Sequence, residues 1–153
     1  MKTKQIEIDK TDQQILSELK QDCRRSYREL ATAIGMSPAA LIERMKKLEN
    51  NGTIRGYSAN LDYLKLGFEF MAIIQISISG DMLKVQEGIS KLRGVAAIYD
   101  TTGQYDSAAM AMCKSRQELS ALVKGILKIP GVDKTNTSMV LNVVKKMDEF
   151  DGI

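Results

Sequence analysis

Residues 26–52 read SYRELATAIGMSPAALIERMKKLENNG, and this stretch decides the fold of the first third of the chain. Ser26 is followed three positions later by Glu29, a reciprocal pairing that starts a helix. Gly35 is suited to end that helix, and Ser37-Pro38 starts another, because Ser caps a helix and Pro fits its first position. Two helices joined by about three residues that include Gly predict a helix-turn-helix.

A third amphipathic segment precedes this pair. Asp9 is the expected N-cap and Asp12 lies in the first helical turn. Ile15, Leu16 and Leu19 then form one apolar stripe at helical spacing. The N-terminal part is therefore predicted to be a three-helix, winged helix-turn-helix domain.

Positive charge is concentrated around this segment. Seven bases and three acids lie between positions 24 and 55, whereas 11 bases and 10 acids lie from position 63 to the end. The second helix of a helix-turn-helix enters the DNA major groove, where small residues approach base edges and basic ones meet phosphates. The alternative is a three-helix bundle with a solvated basic face. The residues predicted to contact DNA are Arg24, Ser26, Ser37, Ala39, Ala40, Glu43, Arg44, Lys46 and Lys47.

Two positions on this helix leave the preferred operator open. Glu43 would repel phosphates, but opposite cytosine it can accept a hydrogen bond from the amino group. Ile42 can meet a thymine methyl group or simply pack.

The rest of the chain alternates strand and helix signals. Their order, β-α-β-β-α-β, predicts a ferredoxin-like α+β domain with both helices on one face of the sheet. The predicted elements are a strand from Phe68, a helix from Asp81, strands over Val95–Thr101 and Tyr105–Cys113, a helix opening with a Ser115–Glu118 capping box, and a strand over Val132–Lys145.

The first of these strands is apolar on both sides. Met71 and Ile73 point to one face of the predicted strand, and Ile74 and Ile76 point to the other. An exposed apolar sheet face usually finds a partner, so we predict sheet-to-sheet dimerisation. We expect three regions: a DNA-binding domain over 1–53, a linker with a short strand over 54–66, and a ligand-binding and dimerisation domain over 67–153.

The composition argues against an enzyme. The chain has no histidine, which removes catalytic triads, imidazole acid–base chemistry and histidine-ligated metals. Cys23 and Cys113 stand ninety positions apart and read as free thiols, with a redox role for Cys23 beside two arginines as the alternative. No metal and no cofactor are expected. With no membrane-spanning or signal segment, we expect a cytoplasmic protein.

These residues together resemble the Lrp/AsnC, or feast/famine, family of transcription regulators. The resemblance extends over nearly the whole chain, and its strength lies in the order and spacing of short motifs. The matching residues are Ile8-Asp9, Asp12, Ile15-Leu16, Leu19, Arg24, Ser26, Glu29-Leu30-Ala31, Gly35, Ser37, Arg44, Leu48-Glu49, Gly52, Ile54, Gly103-Gln104-Tyr105-Asp106, Gly131-Val132 and Thr137.

The resemblance implies a DNA-binding regulator that forms homodimers, often octamers, associates with the nucleoid and responds to an amino acid or related metabolite. In the family, the effector lies near the turn after the second strand of the C-terminal domain, at an interface between dimers. A carboxylate can take the amine of a zwitterion, and N–H or hydroxyl groups its carboxylate. The residues so implied are Thr101, Thr102, Gly103, Gln104, Tyr105 and Asp106, with Thr135, Thr137 and Ser138 from another subunit.

Three alternatives stay open at this point. Gly103 can serve only the hairpin turn, and Asp106 can serve only turn N–H groups. The protein can also be an architectural DNA-binding protein without an effector. Last, tetrapyrrole-modifying decarboxylases resemble the family, but they use histidines, which this chain lacks.

Overall fold

The computed structural model describes residues 7–145 and residue 150. These residues divide into compact units, one over residues 7–60 and one over residues 61–145. Each unit has its own apolar core.

Three helices form the first unit: α1 (Lys10–Gln21), α2 (Tyr27–Ala33) and α3 (Pro38–Asn50). Each begins directly after the side chain predicted to cap it, and each cap accepts a backbone N–H of the first turn. The caps fix where the helices start, and the apolar stripes then pack together. The buried core consists of Ile15, Leu30, Ala31, Leu41, Met45 and Leu48.

No strand follows α3 within residues 51–66, so the predicted wing and the predicted short strand of the linker are both wrong. A strand needs a hydrogen-bonded neighbour, and this segment has no ladder partner in the described part of the chain. It ends instead in a turn, where the Phe68 N–H donates to the Tyr63 carbonyl at 3.0 Å.

The second unit is a four-stranded antiparallel sheet with two helices. In chain order its elements are β1 (Phe70–Ile78), α4 (Met82–Ser90), β2 (Val95–Asp100), β3 (Ser107–Cys113), α5 (Arg116–Leu127) and β4 (Val132–Met139). The strand order β2-β3-β1-β4 is the predicted ferredoxin-like arrangement.

Both helices of this unit cover the same face of the sheet. Ile74 and Ile76 of β1 are fully buried against Val85 of α4 and Leu122 and Ile126 of α5. The opposite face carries Met71, Ile73, Gln75, Met110 and Met112, with 40% of Ile73 exposed. No described helix covers that face.

Several boundaries differ from the sequence prediction. β2 stops at Asp100 and β3 starts at Ser107, so the connecting loop spans 101–106 rather than 102–104. β4 ends at Met139 rather than Lys145: its pairing with β1 ends at Ala72, and only the Val140 N–H, which donates to the Met71 carbonyl at 2.9 Å, continues it. The final residues of the predicted third region, 146–149 and 151–153, lie outside the described residues.

The capping box predicted at the start of α5 forms only in part. Ser115 accepts the Glu118 N–H at 3.1 Å as expected. The Glu118 carboxylate, however, accepts the backbone N–H of Lys114 at 2.8 Å instead of that of Ser115. Glu118 thus ties Lys114, one residue before the cap Ser115, to the start of the helix.

No helix within residues 7–145 is both long and apolar enough to cross a bilayer. Within the same residues, no three acidic or cysteine side chains gather as a metal site would require.

Candidate functional site

Helix α3 presents one face to the core and one to solvent. Ser37 Oγ accepts the Ala40 N–H at 3.2 Å and sets the start of the helix. Leu41, Met45 and Leu48 are buried at helical spacing. The opposite side is exposed, and it carries five of the residues predicted to meet DNA: Ala39, Ala40, Glu43, Lys46 and Lys47.

Arg44 is bound within the first unit. Its Nη1 lies 2.7 Å from Asp9 Oδ2 and 2.7 Å from Asp12 Oδ1. Asp12 is completely buried, and its other carboxylate oxygen lies 3.4 Å from Lys47 Nζ. A buried carboxylate must be paired, so this cluster ties α1 to α3. Arg44 thereby has a structural task that the sequence did not reveal.

The same hydrogen bonds shift the titration of these groups. The pKa of Asp9 is lowered chiefly by the backbone N–H of Asp12 and then by the Arg44 guanidinium. The pKa of Arg44 is raised by its hydrogen bonds to Asp9 and Asp12. The charged forms therefore support one another.

The residues predicted at the start of α2 are also engaged locally. Ser26 Oγ donates to Glu29 Oε2 at 2.7 Å, and its backbone N–H donates to the same oxygen at 2.8 Å. These bonds lower the pKa of Glu29. Arg24 is exposed, and its backbone N–H donates to Asp22 Oδ1 at 2.9 Å.

Glu43 and Lys46 form an exposed ion pair on α3, with Oε1 and Nζ 3.1 Å apart. An exposed pair of this kind contributes little to stability and opens readily. Lys46 is therefore available to a stronger anion such as a phosphate, and Glu43 is available to a base edge. Ile42 is half-buried, as its packing interpretation requires.

The loop over residues 101–106 is closed by its own backbone and by β1. The Thr101 N–H donates to the Asp106 carbonyl at 3.0 Å, and Thr101 Oγ1 donates to the Tyr105 carbonyl at 2.8 Å. Gly103 has φ +113°, a conformation that side chains disfavour. Asp106 Oδ2 accepts the Ile78 N–H at 2.8 Å. Gly103 thus serves the turn, whereas the Asp106 side chain bonds to the end of β1 and not to a turn N–H.

A shallow pocket of about 350 Å³ opens beside this loop. Four of the predicted effector residues line it, together with three that the sequence analysis missed. The predicted ones are Thr101, Thr102, Gln104 and Tyr105; the missed ones are Gln75, Ala108 and Asn136. We refer to these seven residues as the loop pocket.

The strand register explains why the missed residues meet there. Gln75 of β1 stands opposite both Ala108 of β3 and Asn136 of β4. The Asn136 amide donates to Gln75 Oε1 at 3.0 Å. A polar Gln between the apolar Ile74 and Ile76 was the available signal.

The remaining predicted residues fall outside the loop pocket. Gly103 and Asp106 belong to the loop but do not line the cavity. Thr135 and Thr137 pair with Ile76 and Ile74, and so lie on the helix-covered side of the sheet. Ser138 shares the open side with Asn136 but lies two positions further along the strand.

Two contacts complete the surroundings of the pocket. Lys134 Nζ lies 5.6 Å from the centre of the Tyr105 ring, which puts a cation beside one wall. On the helix side, the Gln86 amide donates to Ser107 Oγ at 2.7 Å and to Asp100 Oδ1. Gln86 therefore holds together the two residues at which the strands enter the loop. Ser107 is fully buried, so the hydrogen bond also satisfies a polar group.

Comparison with known proteins accounts for both units. The AsnC-type helix-turn-helix domain matches residues 8–49, and the Lrp/AsnC ligand-binding domain matches residues 71–150. The chain belongs to the Lrp/AsnC family. It is thus a transcriptional regulator with a helix-turn-helix DNA-binding domain and a ligand-binding domain.

Lrp/AsnC relatives match almost end to end. An uncharacterized HTH-type transcriptional regulator of Pyrococcus furiosus is 40% identical over 142 residues, which cover 92% of this chain and 96% of the relative. The HTH-type transcriptional regulator FL11 of Pyrococcus abyssi is 31% identical, with 95% and 97% covered.

Solved Lrp/AsnC structures share the fold described above. Escherichia coli AsnC is 28% identical with a TM-score of 0.85, covering 94% of this chain and 99% of AsnC. A transcriptional regulator of Neisseria meningitidis, solved as a complex with L-Met, is 28% identical with a TM-score of 0.83, covering 92% and 94%.

Proposed function

We propose that this chain is an amino-acid-responsive regulator that binds specific operator DNA through α3 and its effector through the loop pocket. The observation that carries the proposal is the convergence of predicted loop residues with Gln75 and Asn136 around one polar cavity. The similar Neisseria meningitidis regulator was solved with L-Met, which supports an amino acid as the ligand class.

The chemistry of the loop pocket suits a zwitterion. Thr102 and the Gln104 amide offer donors to a carboxylate, and Lys134 adds a nearby positive charge. Gln75 Oε1 and backbone carbonyls offer acceptors to an ammonium group. Asp106 does not line the pocket, and its Oδ2 accepts the Ile78 N–H, so we do not give it this role.

The experiment for the effector is calorimetric titration of the full chain with the twenty amino acids, L-Met first. Asn136→Ala and Thr102→Ala are each expected to weaken binding about tenfold, the loss of one charge-assisted hydrogen bond. Gln117→Ala is the matched control, because Gln117 is exposed on α5 and lies outside the loop pocket. Equal affinity in all variants would refute the site, and binding of DNA with no amino acid bound would favour the architectural alternative.

For the DNA interface, we propose that different residues make different kinds of contact. Ser37, Ala39 and Ala40 approach base edges, Lys46 and Lys47 meet phosphates, and Arg24 and Ser26 contact the backbone from the start of α2. Because Arg44 is paired with Asp9 and Asp12, we propose that it supports DNA binding indirectly, by tying α3 to α1.

The experiment for DNA binding is the salt dependence of operator affinity. Lys46→Gln should lower the slope of log affinity against log salt by about 0.9, the value for one phosphate contact. Lys65→Gln is the matched control: Lys65 is also exposed and also paired with an acid three residues away, but it lies in the second unit. An unchanged slope for Lys46→Gln would remove α3 from the interface.

A homodimer, assembled further into an octamer, is proposed as the active species. The open face of the sheet exposes 40% of Ile73 and 52% of Tyr99. Apolar area of this kind favours sheet-to-sheet association, and a dimer brings two copies of α3 to two half-sites. Ile73→Glu is expected to reduce the sedimentation coefficient to that of a monomer, whereas Leu83→Glu, exposed on α4, is not. In the cell, such an assembly would be associated with the nucleoid.

A further inference from the structure

A second pocket in the sheet unit is separate from the loop pocket and has a different character. It lies where the end of β3 and the turn after α4 meet α5, and its volume is about 310 Å³. Its wall is largely apolar, with Phe68, Leu92 and Leu122 prominent. We refer to it as the α5 pocket.

A glycine in the middle of α5 keeps this pocket open. Glycine in a helix interior costs about 1 kcal/mol relative to alanine. A Cβ on Gly125 would have as its nearest neighbour Leu92 Cδ1 at 3.8 Å, an ordinary contact distance. Packing within this chain therefore does not require glycine at position 125. The missing side chain leaves space that a ligand can fill.

The rim of the α5 pocket is positively charged. Arg93 and Lys114 both line it, and neither has an acid within ion-pair distance among residues 7–145. Lys114 Nζ lies 5.0 Å from the centre of the Phe68 ring. The one acid of the lining, Glu118, uses Oε2 to accept the Lys114 backbone N–H.

We propose that the α5 pocket binds a small apolar carboxylate, with its chain against Phe68, Leu92 and Leu122 and its carboxylate between Arg93 and Lys114. Charge complementarity selects the head group, because an unpaired guanidinium and an ammonium favour a single carboxylate. The volume admits a chain of roughly four to eight carbon atoms. A short fatty acid, a branched α-oxo acid and an apolar amino acid all have this chemistry.

The first test is titration of the full chain with butyrate, hexanoate, 4-methyl-2-oxopentanoate, leucine and hexylamine, followed by calorimetry. Affinity should rise about fourfold for each added methylene until the pocket is full. Hexylamine has the same chain and the opposite charge, so it should not bind. The ranking among hexanoate, the oxo acid and leucine identifies which source of the shared chemistry the pocket prefers. Equal binding of hexylamine, or no binding of any carboxylate at millimolar concentration, would overturn the proposal.

Variants then locate the binding. Gly125→Leu fills the pocket and should weaken hexanoate binding at least about tenfold, the effect expected of an excluded ligand. Ser120→Leu is the matched control, because Ser120 is exposed on the same helix and does not line the α5 pocket. If Gly125→Leu fails to fold, Arg93→Gln tests the rim alone, with an expected loss of about tenfold.

Two outcomes would contradict binding of the carboxylate in the α5 pocket. If Asn136→Ala abolishes hexanoate binding while Gly125→Leu does not, the carboxylate occupies the loop pocket. If Gly125→Leu changes the sedimentation coefficient and the wild type binds none of the probes, a second copy of this chain fills the α5 pocket. Either result contradicts the proposal without affecting the function proposed for the loop pocket.

Discussion

The two units build their functional surfaces from different ranges of the chain. Every residue proposed to face DNA lies between Arg24 and Lys47, in one helix pair, its caps or the residues just before them. The loop pocket instead joins Gln75, the 101–105 loop and Asn136, which three strands bring together. The first surface depends on local geometry and on three ion pairs with Asp9 and Asp12, and the second depends on correct long-range pairing. Substitutions that disturb one of these surfaces should therefore leave the other unchanged.

The largest effect is expected from crowding the sheet unit at Gly131. This residue has φ +94°, and an added Cβ would lie 3.0 Å from Val85 Cγ2 and 3.2 Å from Gly80 Cα. Gly131→Ala should cost about 3 kcal/mol, because backbone strain and overpacking act together. Hydrogen exchange should show faster exchange in β1 and β4 and no change in α1 to α3.

Gly103→Ala provides the control for this change. Gly103 also has positive φ, but an added Cβ meets nothing within 4 Å. A cost of about 1 kcal/mol is expected from strain alone. If Gly131→Ala also accelerates exchange in the helices, the two units unfold together and the comparison fails.

The next largest effect is expected from Asp12→Ala in the first unit. The substitution deprives Arg44 and Lys47 of a fully buried partner, and should cost about 2–3 kcal/mol. Protection of α1 and α3 amides should fall while the strands stay protected. Glu43→Ala removes an acid from an exposed pair and should change stability by no more than about 0.5 kcal/mol.

A smaller effect is expected at the cap of α2. Ser26→Ala should cost about 1 kcal/mol through loss of the hydrogen bonds shared with Glu29. Ser26→Asp keeps an N-cap acceptor and should restore most of that stability in urea denaturation. If Ser26→Asp restores stability and operator affinity together, Ser26 acts on DNA only through the helix start.

The smallest and most specific effect concerns pH. The pKa of Asp9 lies below its usual 3.8, so its ionised form stabilises the folded unit above the unfolded pKa, and that stabilisation is lost as pH falls through the folded pKa. Wild type should therefore unfold at a higher urea concentration than Asp9→Asn at pH 7. The difference should shrink below about pH 4. A difference that persists undiminished at pH 2 would show that the charge of Asp9 is irrelevant.

The comparison also explains which features the sequence could predict. Asp9, Ser26 and Ser37 each cap a helix through a backbone N–H three positions away, so sequence spacing alone located all three helix starts. The alternation in β1 and the element order were sufficient for the ferredoxin-like sheet. The wing was wrong because residue type alone does not reveal that a segment lacks a strand partner.

Only part of the loop pocket could be predicted from the sequence. Thr102 and Tyr105 were accessible because they belong to one loop. Gln75 and Asn136 are 61 positions apart, and only the register of β1 and β4 makes them neighbours. Likewise, Asp106 and Arg44 both looked available for ligands, since nothing near them in sequence shows the N–H or carboxylates that engage them.

The Gln86 side chain, which donates hydrogen bonds to both Asp100 and Ser107, has a consequence for selectivity. Because one amide grips Asp100 and Ser107 at once, the two legs of the hairpin are held at a fixed separation. In the effector site proposed above, the loop therefore cannot widen at its base, where Asp100 and Ser107 are joined. Under that proposal, selectivity among amino acids depends on the head group that fits the fixed spacing of the two strand ends, and a larger side chain extends along the open face of the sheet.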